Sequence, residues 1–345
     1  MKPGQRLLTI AILSVLIQPL PVAAQTTPPT KIYRGRLGDQ HIQMELTRNG
    51  DAATGKYFYD QFQRDLRLAG RLNKDGRLEL RETDATGRHT GTFVCKRADE
   101  RGPIDMDLEC DWSKPNGSGQ LTAWLTEQSI DLPKGLVIKP RQVYQRGRVV
   151  NLSYPELIND GRQTRNFNPR VARIVRELLS DFIPDAGLKN ASFDANYNVL
   201  LANDEIISIE ISEYLYTGGA HPTEDWRTFN YDVRKDREIR ITDLVRDEAA
   251  FKAAVWKYSA KAILRLADKL EQEEARSENR QPEKKDFLAS EDEPAEILAW
   301  GFTPKGVAVY FDFAHVMAVF SKVIVPYSEV KDHLKPNSPM AKFIH

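Results

Sequence analysis

Tyr216-Thr217-Gly218-Gly219-Ala220-His221-Pro222 ends an alternating run that begins at Ile206. Glycine reaches backbone angles that other residues avoid, and proline fixes the exit, so the stretch reads as a built turn closing a strand. It carries one of the chain's six histidines. Upstream, Ile207, Ile209 and Ile211 share one strand face, and Ser208, Glu210 and Ser212 share the other. Continuing the period puts Glu213 on the isoleucine face, with Tyr214 and Tyr216 on the polar one. A carboxylate there needs a partner. Either a bulge near Ser212 resets the alternation, or Glu213 sits at the sheet end. A functional alternative couples Glu213 to His221 as an acid/base pair.

Helical periods flank this strand region. Asn168 and Pro169 read as an N-cap and first helical residue, followed by Val171, Ile174, Val175, Leu178, Leu179 and Phe182 on one face. A second helix is expected after Thr242-Asp243, with Phe251, Val255, Tyr258, Ala262, Leu266 and Leu270 on one side. Strands are expected at Phe193–Leu201, Trp226–Val233, Ile297–Phe302, Val307–Phe313 and Lys322–Val325. Residues 150–345 therefore read as an α+β domain, with a mostly antiparallel sheet and two main helices. The charge run Glu271–Lys285 reads as a solvated helix end and loop.

Residues 31–130 have a different grammar. Short alternating runs, such as Ile42, Met44 and Leu46, are separated by turns such as Asp75-Gly76 at intervals of roughly 8 to 12 residues. That spacing predicts an antiparallel β sandwich or barrel. Residues 131–149, with Pro133 and Pro140, are a linker or an initial strand of the second domain.

The first 24 residues have the form of a cleavable signal peptide. Lys2 and Arg6 precede an apolar run, and small residues end at Ala24. A retained anchor is the competing reading, but the run is short for the ~20 residues that cross a bilayer. A tether over residues 25–30 follows, and export to the periplasm or the medium is expected. Cys95 and Cys110 are then expected to form a disulfide contributing about 3 kcal/mol. Removal of Lys2 and Arg6 leaves 47 basic against 49 acidic residues. That balance gives no electrostatic case for nucleic acid, and no later segment is apolar enough to span a membrane.

The chain has no GxSxG, P-loop, GxGxxG or HExxH motif, and no histidine pair at i, i+4. No catalytic set, metal or cofactor is therefore expected. His221 has three open roles: bonding a carbonyl to hold the turn, touching a ligand, or catalysis with Glu213 or Asp243. Tyr214, Tyr216 and Trp226 are anchors for a partner or ordinary sheet packing. The candidate ligand-binding set is Tyr214, Tyr216, Gly218, Gly219, His221 and Trp226.

Tyr214 through Pro222, Phe229-Asn230-Tyr231-Asp232, Ile241-Thr242-Asp243-Leu244, Phe302-Thr303-Pro304-Lys305-Gly306-Val307, Tyr310-Phe311 and Val325-Pro326-Tyr327-Ser328 together resemble the exported domain of unknown function in RsiV-type anti-sigma factors. The resemblance covers Val150–Leu334. It implies an α+β domain, and relatives that include lysozyme-sensing ectodomains, secreted mycobacterial antigens and domains attached to peptidoglycan deacetylases. In those deacetylases the chemistry belongs to a separate domain. The chain departs from the family at Ala314–Lys322, and it offers no transmembrane and cytoplasmic segments for signalling. The expected function is a non-enzymatic envelope protein that binds a protein or cell-wall ligand, with a lysozyme-like partner implied by resemblance only. The alternatives are an envelope hydrolase using His221, and a purely structural envelope protein.

Overall fold

The computed structural model describes residues 28–97, 107–145, 149–159, 165–182, 191–219, 221–283 and 294–344. The expected signal peptide, the first half of the tether, Ala220 and the end of the charge run lie outside them.

Eight strands come first: β1 (Thr30–Leu37), β2 (Gln40–Asn49), β3 (Ala52–Tyr59), β4 (Leu66–Leu72), β5 (Leu78–Thr83), β6 (His89–Arg97), β7 (Leu108–Ser113) and β8 (Leu121–Gln128). Each pairs antiparallel with the next, and β1 also pairs with β8, so the sheet closes into a barrel. The sequence left sandwich and barrel open; closure removes both edges. Alternate residues point inward, and Ile42, Met44, Leu80, Phe93 and Leu125 fill the interior, as eight-stranded barrels of this width require. Cys95 and Cys110 face each other across β6 and β7 and form the expected disulfide.

The chain then enters a six-stranded sheet. Its strands are β9 (Leu136–Gln145), β10 (Val149–Asn159), β11 (Ser192–Ala202), β12 (Ile206–Tyr216), β13 (Thr223–Asp232) and β14 (Arg237–Glu238), in spatial order β14-β13-β12-β11-β10-β9. The segment left as linker or strand thus supplies an edge strand, β9. Helix α1 (Phe167–Asp181) lies between β10 and β11, which pair parallel. A parallel neighbour needs such a crossover, so the sheet is mixed rather than wholly antiparallel. The N-cap of α1 is Asn166, not Asn168. Asn168 instead bonds both the N–H and the carbonyl of Leu157, at 2.8 and 2.9 Å, tying the helix to β10.

A one-turn helix, α2 (Ile241–Leu244), stands where the second helix was expected to begin. The long helix α3 (Glu248–Ser277) starts later, where Asp247 accepts bonds from the amides of Ala249 and Ala250. A three-stranded antiparallel sheet of β15 (Ile297–Phe302), β16 (Val307–Phe311) and β17 (Lys322–Val325), followed by α4 (Tyr327–Val330), completes the fold.

The result is layered. Ile207, Ile209, Ile211, Phe229 and Tyr231 pack with Val171, Val175 and Leu178 of α1 in one core. On the far side, Val307, Val309 and Phe311 pack with Phe251, Val255 and Trp256 of α3 in another. Between the two sheets a small apolar cluster of Leu200, Ala299, Ala308 and Tyr310 lies beside a polar one. Ser208 donates to Asn230 at 2.7 Å and accepts the amide of Phe302 at 2.9 Å, while Asn230 donates to the Trp300 carbonyl at 2.8 Å. The polar face of β12 is therefore covered at Ser208 by the second sheet.

Candidate binding groove between the barrel and the sheet

The barrel is fastened to β10 and β11 by side chains that the sequence reading did not single out. Arg34 on β1 is 1% exposed and bonds Asp60 at 2.7 Å, Asn196 at 3.0 Å and the Tyr197 carbonyl at 3.1 Å. Its guanidinium also lies 3.8 Å from the centroid of the Tyr197 ring. His41 spans Ser153 and Asp194, at 3.0 Å to each. Asp194 further accepts Arg36 at 2.9 Å and Asn151 at 2.7 Å. Backbone joins in: the amides of Ala202 and Asp131 bond the carbonyls of Ser129 and Ala202, each at 2.7 Å. Buried charges arranged this way are mutually compensated, so the seam has a fixed register.

Beside this seam the surface opens into a groove of about 490 Å³. The barrel contributes Gly35, Arg36, Trp124 and Thr126. The sheet contributes Asp194, Asn196 and Asn198 from β11, Glu210, Ser212 and Tyr214 from β12, and Glu224 and Trp226 from β13. Gly35 has a structural reason: a Cβ there would stand 1.8 Å from the Trp124 carbonyl, so β1 and β8 come together only with glycine at this point. Trp124 and Tyr214 are each 42% exposed, and Trp226 stacks on buried Tyr310 with centroids 6.2 Å apart. A smaller cleft of about 290 Å³ shares Thr126, Asn198, Glu210 and Lys322 with the groove and carries it toward Lys305.

Glu210 marks the waist between the two spaces. It is 5% exposed and accepts bonds from Lys322 at 2.9 Å, from Asn198 at 2.8 Å and from the Tyr310 hydroxyl. Burial alone pushes its carboxyl up, but the Lys322 charge and the bonds from Tyr310, Asn198 and Lys322 outweigh it, and the carboxyl lies below the usual glutamate range. Glu210 is thus an ionised, internally neutralised group.

The expected site residues divide. Tyr214 and Trp226 line the groove together, whereas Tyr216 at the end of β12 and Gly218, Gly219 and His221 in the turn after it lie outside its lining. Gly218 has φ +90° and needs to be glycine; Gly219 has no positive φ and open space about it. No bulge interrupts β12 at Ser212, since its pairing with β13 runs without a shift from Ile206 to Leu215. Glu213 stays on the isoleucine face and meets Arg227 of β13 at 2.8 Å. Asp243 bonds the Arg240 amide at 3.0 Å and Arg237 at 3.1 Å. Arg237 pairs with Asp232, at the opposite end of β13 from the turn. Ten residues of strand separate the two places, about 30 Å, so Asp243 is no partner for His221. Among the described residues no group of three or more His, Cys, Asp or Glu is placed to hold a metal ion, and no helix is long and apolar enough to cross a membrane.

Known proteins match part of the chain. Residues 148–224 match the family model described as deacetylase PdaC, a stretch that includes β10, β11, β12 and the turn. The peptidoglycan-N-acetylmuramic acid deacetylase PdaC of Bacillus subtilis is 24% identical over 102 residues, which cover 29% of this chain and 22% of that protein. The chain thus spans about a fifth of the length of this relative. Two solved structures of DUF3298 family proteins also align. The one from Pseudomonas aeruginosa is 21% identical, covers 61% of this chain and 97% of its own, and has a TM-score of 0.40. The one from Bacteroides fragilis is 13% identical, with 61% and 98% covered and a TM-score of 0.38. These are matches to a domain family of unknown function.

Proposed function

We propose that this chain is an exported, non-enzymatic envelope protein of the RsiV-ectodomain type that binds cell-wall saccharide in the groove between barrel and sheet. The observation that carries the reading is the convergence of Trp124, Tyr214 and Trp226 on one groove in which Glu210 and Asp194 are already paired with Lys322 and Arg36. Aromatic rings offer apolar faces to a ligand with a polar periphery, and a few fixed amides and hydroxyls orient it. Asn196, Ser212 and Thr126 supply the latter. A neutral ligand rich in hydroxyl and amide groups fits this lining better than a strongly charged one. The partial match to a peptidoglycan deacetylase points toward wall material over a protein ligand, and the disulfide suits an extracytoplasmic address.

The test is calorimetric titration of residues 25–345 with soluble peptidoglycan fragments. Saturable binding is expected, weakened at least about tenfold in a Trp124→Ala/Tyr214→Ala double variant, which corresponds to 1.4 kcal/mol. His221→Ala and Tyr216→Ala should bind as the parent does; if they alone lose binding, the working surface is the turn and not the groove. Absence of binding, or unchanged binding by the double variant, removes the groove reading. Shortened fragments after incubation, seen by mass spectrometry, would instead establish the hydrolase.

A further inference from the structure

The barrel has its own cavity, separate from the saccharide groove, at the end where β1 enters. It measures about 540 Å³ and has an apolar floor of Tyr33, Leu46, Leu72, Leu78 and Leu108. Among the described residues its rim is basic: Lys31, Arg48, Lys96 and Arg97 against Asp107 and Glu127. Two of the four cations are committed. Lys31 pairs with Glu127 at 2.6 Å and Lys96 with Glu109 at 3.1 Å. Arg48 and Arg97 have no carboxylate partner among the described residues, and both are exposed. They act on one point: burial, Glu127 and Asp107 push the Tyr33 hydroxyl up to about 12, and Arg48 and Arg97 pull against that shift.

Two unneutralised guanidiniums over an apolar cup define a ligand chemistry. Guanidinium presents a planar fork that suits carboxylate and phosphate. The cup beneath suits hydrocarbon, and small barrels of eight strands hold one small ligand where their side chains leave room. The barrel's remaining interior is filled by Met44, Leu80 and Phe93, so a tail enters only as far as the Leu46 and Leu78 layer. We propose that the barrel mouth binds an amphipathic anion, a carboxylate or phosphate head held by Arg48 and Arg97 on a short unbranched apolar tail. Nothing in this site depends on Trp124, Tyr214 or Trp226, so the two readings stand or fall apart.

The full chain is titrated calorimetrically with dodecanoate, dodecyl phosphate, inorganic phosphate and dodecyltrimethylammonium. Both anionic amphiphiles are expected to bind saturably at one site, and inorganic phosphate at least about tenfold more weakly because it leaves the cup uncovered. The Arg48→Ala/Arg97→Ala variant should lose about tenfold or more for the anions, with an unchanged melting temperature because both side chains are exposed. Arg48→Lys/Arg97→Lys should recover part of the loss, and Tyr214→Ala none of the affinity should change. No binding by either anion, equal binding of the cationic amphiphile, or full affinity in the double alanine variant would each overturn the proposal.

Discussion

The barrel meets the sheet in two ways only a few residues apart, and the two surfaces are opposites. In the seam, Arg34, Asp60, His41, Asp194 and Asn151 are interlocked, and backbone amides cross between the lobes. In the groove, Trp124 and Tyr214 leave ring faces uncovered above a floor that needs nothing more. Polar groups that have found each other resist change but offer nothing to a newcomer. Uncovered aromatic faces contribute little to folding and offer much to a ligand. Support and recognition therefore sit side by side, and substitutions should separate them.

The largest stability loss is expected in the seam. Arg34→Ala leaves the buried Asp60 carboxylate without its cation, a change that typically costs about 3–5 kcal/mol. Urea denaturation should show it, and a loss under 1 kcal/mol would mean the seam relaxes and admits water. The Cys95→Ser/Cys110→Ser variant comes next. A link between residues separated by 15 positions is worth about 3 kcal/mol in the unfolded chain, and the loss should fall on the barrel's transition. If reducing agent leaves unfolding unaltered, the bond does not constrain the denatured state.

Glu210→Gln should cost less, about 1–3 kcal/mol, because Lys322 keeps some solvent access. Its signature is in pH. Because the native carboxyl lies below its unfolded value, its stabilisation is present at neutral pH and disappears as pH falls through the native value, on the acid side of roughly pH 4.3. Acid unfolding curves of parent and variant should converge there; parallel curves would show that another group governs the acid limb. Tyr214→Ala is the smallest, within about 0.5 kcal/mol, since the residue lies at the surface and is 42% exposed. A fall in melting temperature comparable to that of Arg34→Ala would erase the distinction between the two surfaces.

The fold was legible where local rules suffice. The residues of β12 are those expected, Ile206–Tyr216, because isoleucine alternation and the glycine turn mark both ends. The succession of short antiparallel strands follows from turn spacing, though not β1 or the closure, and the disulfide from two cysteines in neighbouring runs. The errors share a cause: a local signal was read without its distant partner. Asn168 looks like a cap until Leu157 engages it. Glu213 looks misplaced until Arg227 arrives from the next strand. Trp124, Arg34 and Lys322 lie far from β11 in sequence, so nothing local assigns them to the groove or the seam. One clue was present: Asp194, Asn196 and Asn198 on β11, beside Glu210 and Ser212 on β12, make a continuous polar face in the middle of a sheet. Such a face demands either water or a polar cover, and here it has both.

The backbone bonds at Ser129–Asp131 bear on how fast a ligand comes and goes. The chain leaves the barrel and is pinned to Ala202 within a few residues, so the junction has no slack with which to hinge. A groove that is already in shape asks for no rearrangement on arrival. Association should then run at the ordinary rate for a rigid encounter, with differences among ligands expressed in how long each stays. Stopped-flow tryptophan emission would read this as a single phase whose rate rises linearly with ligand concentration.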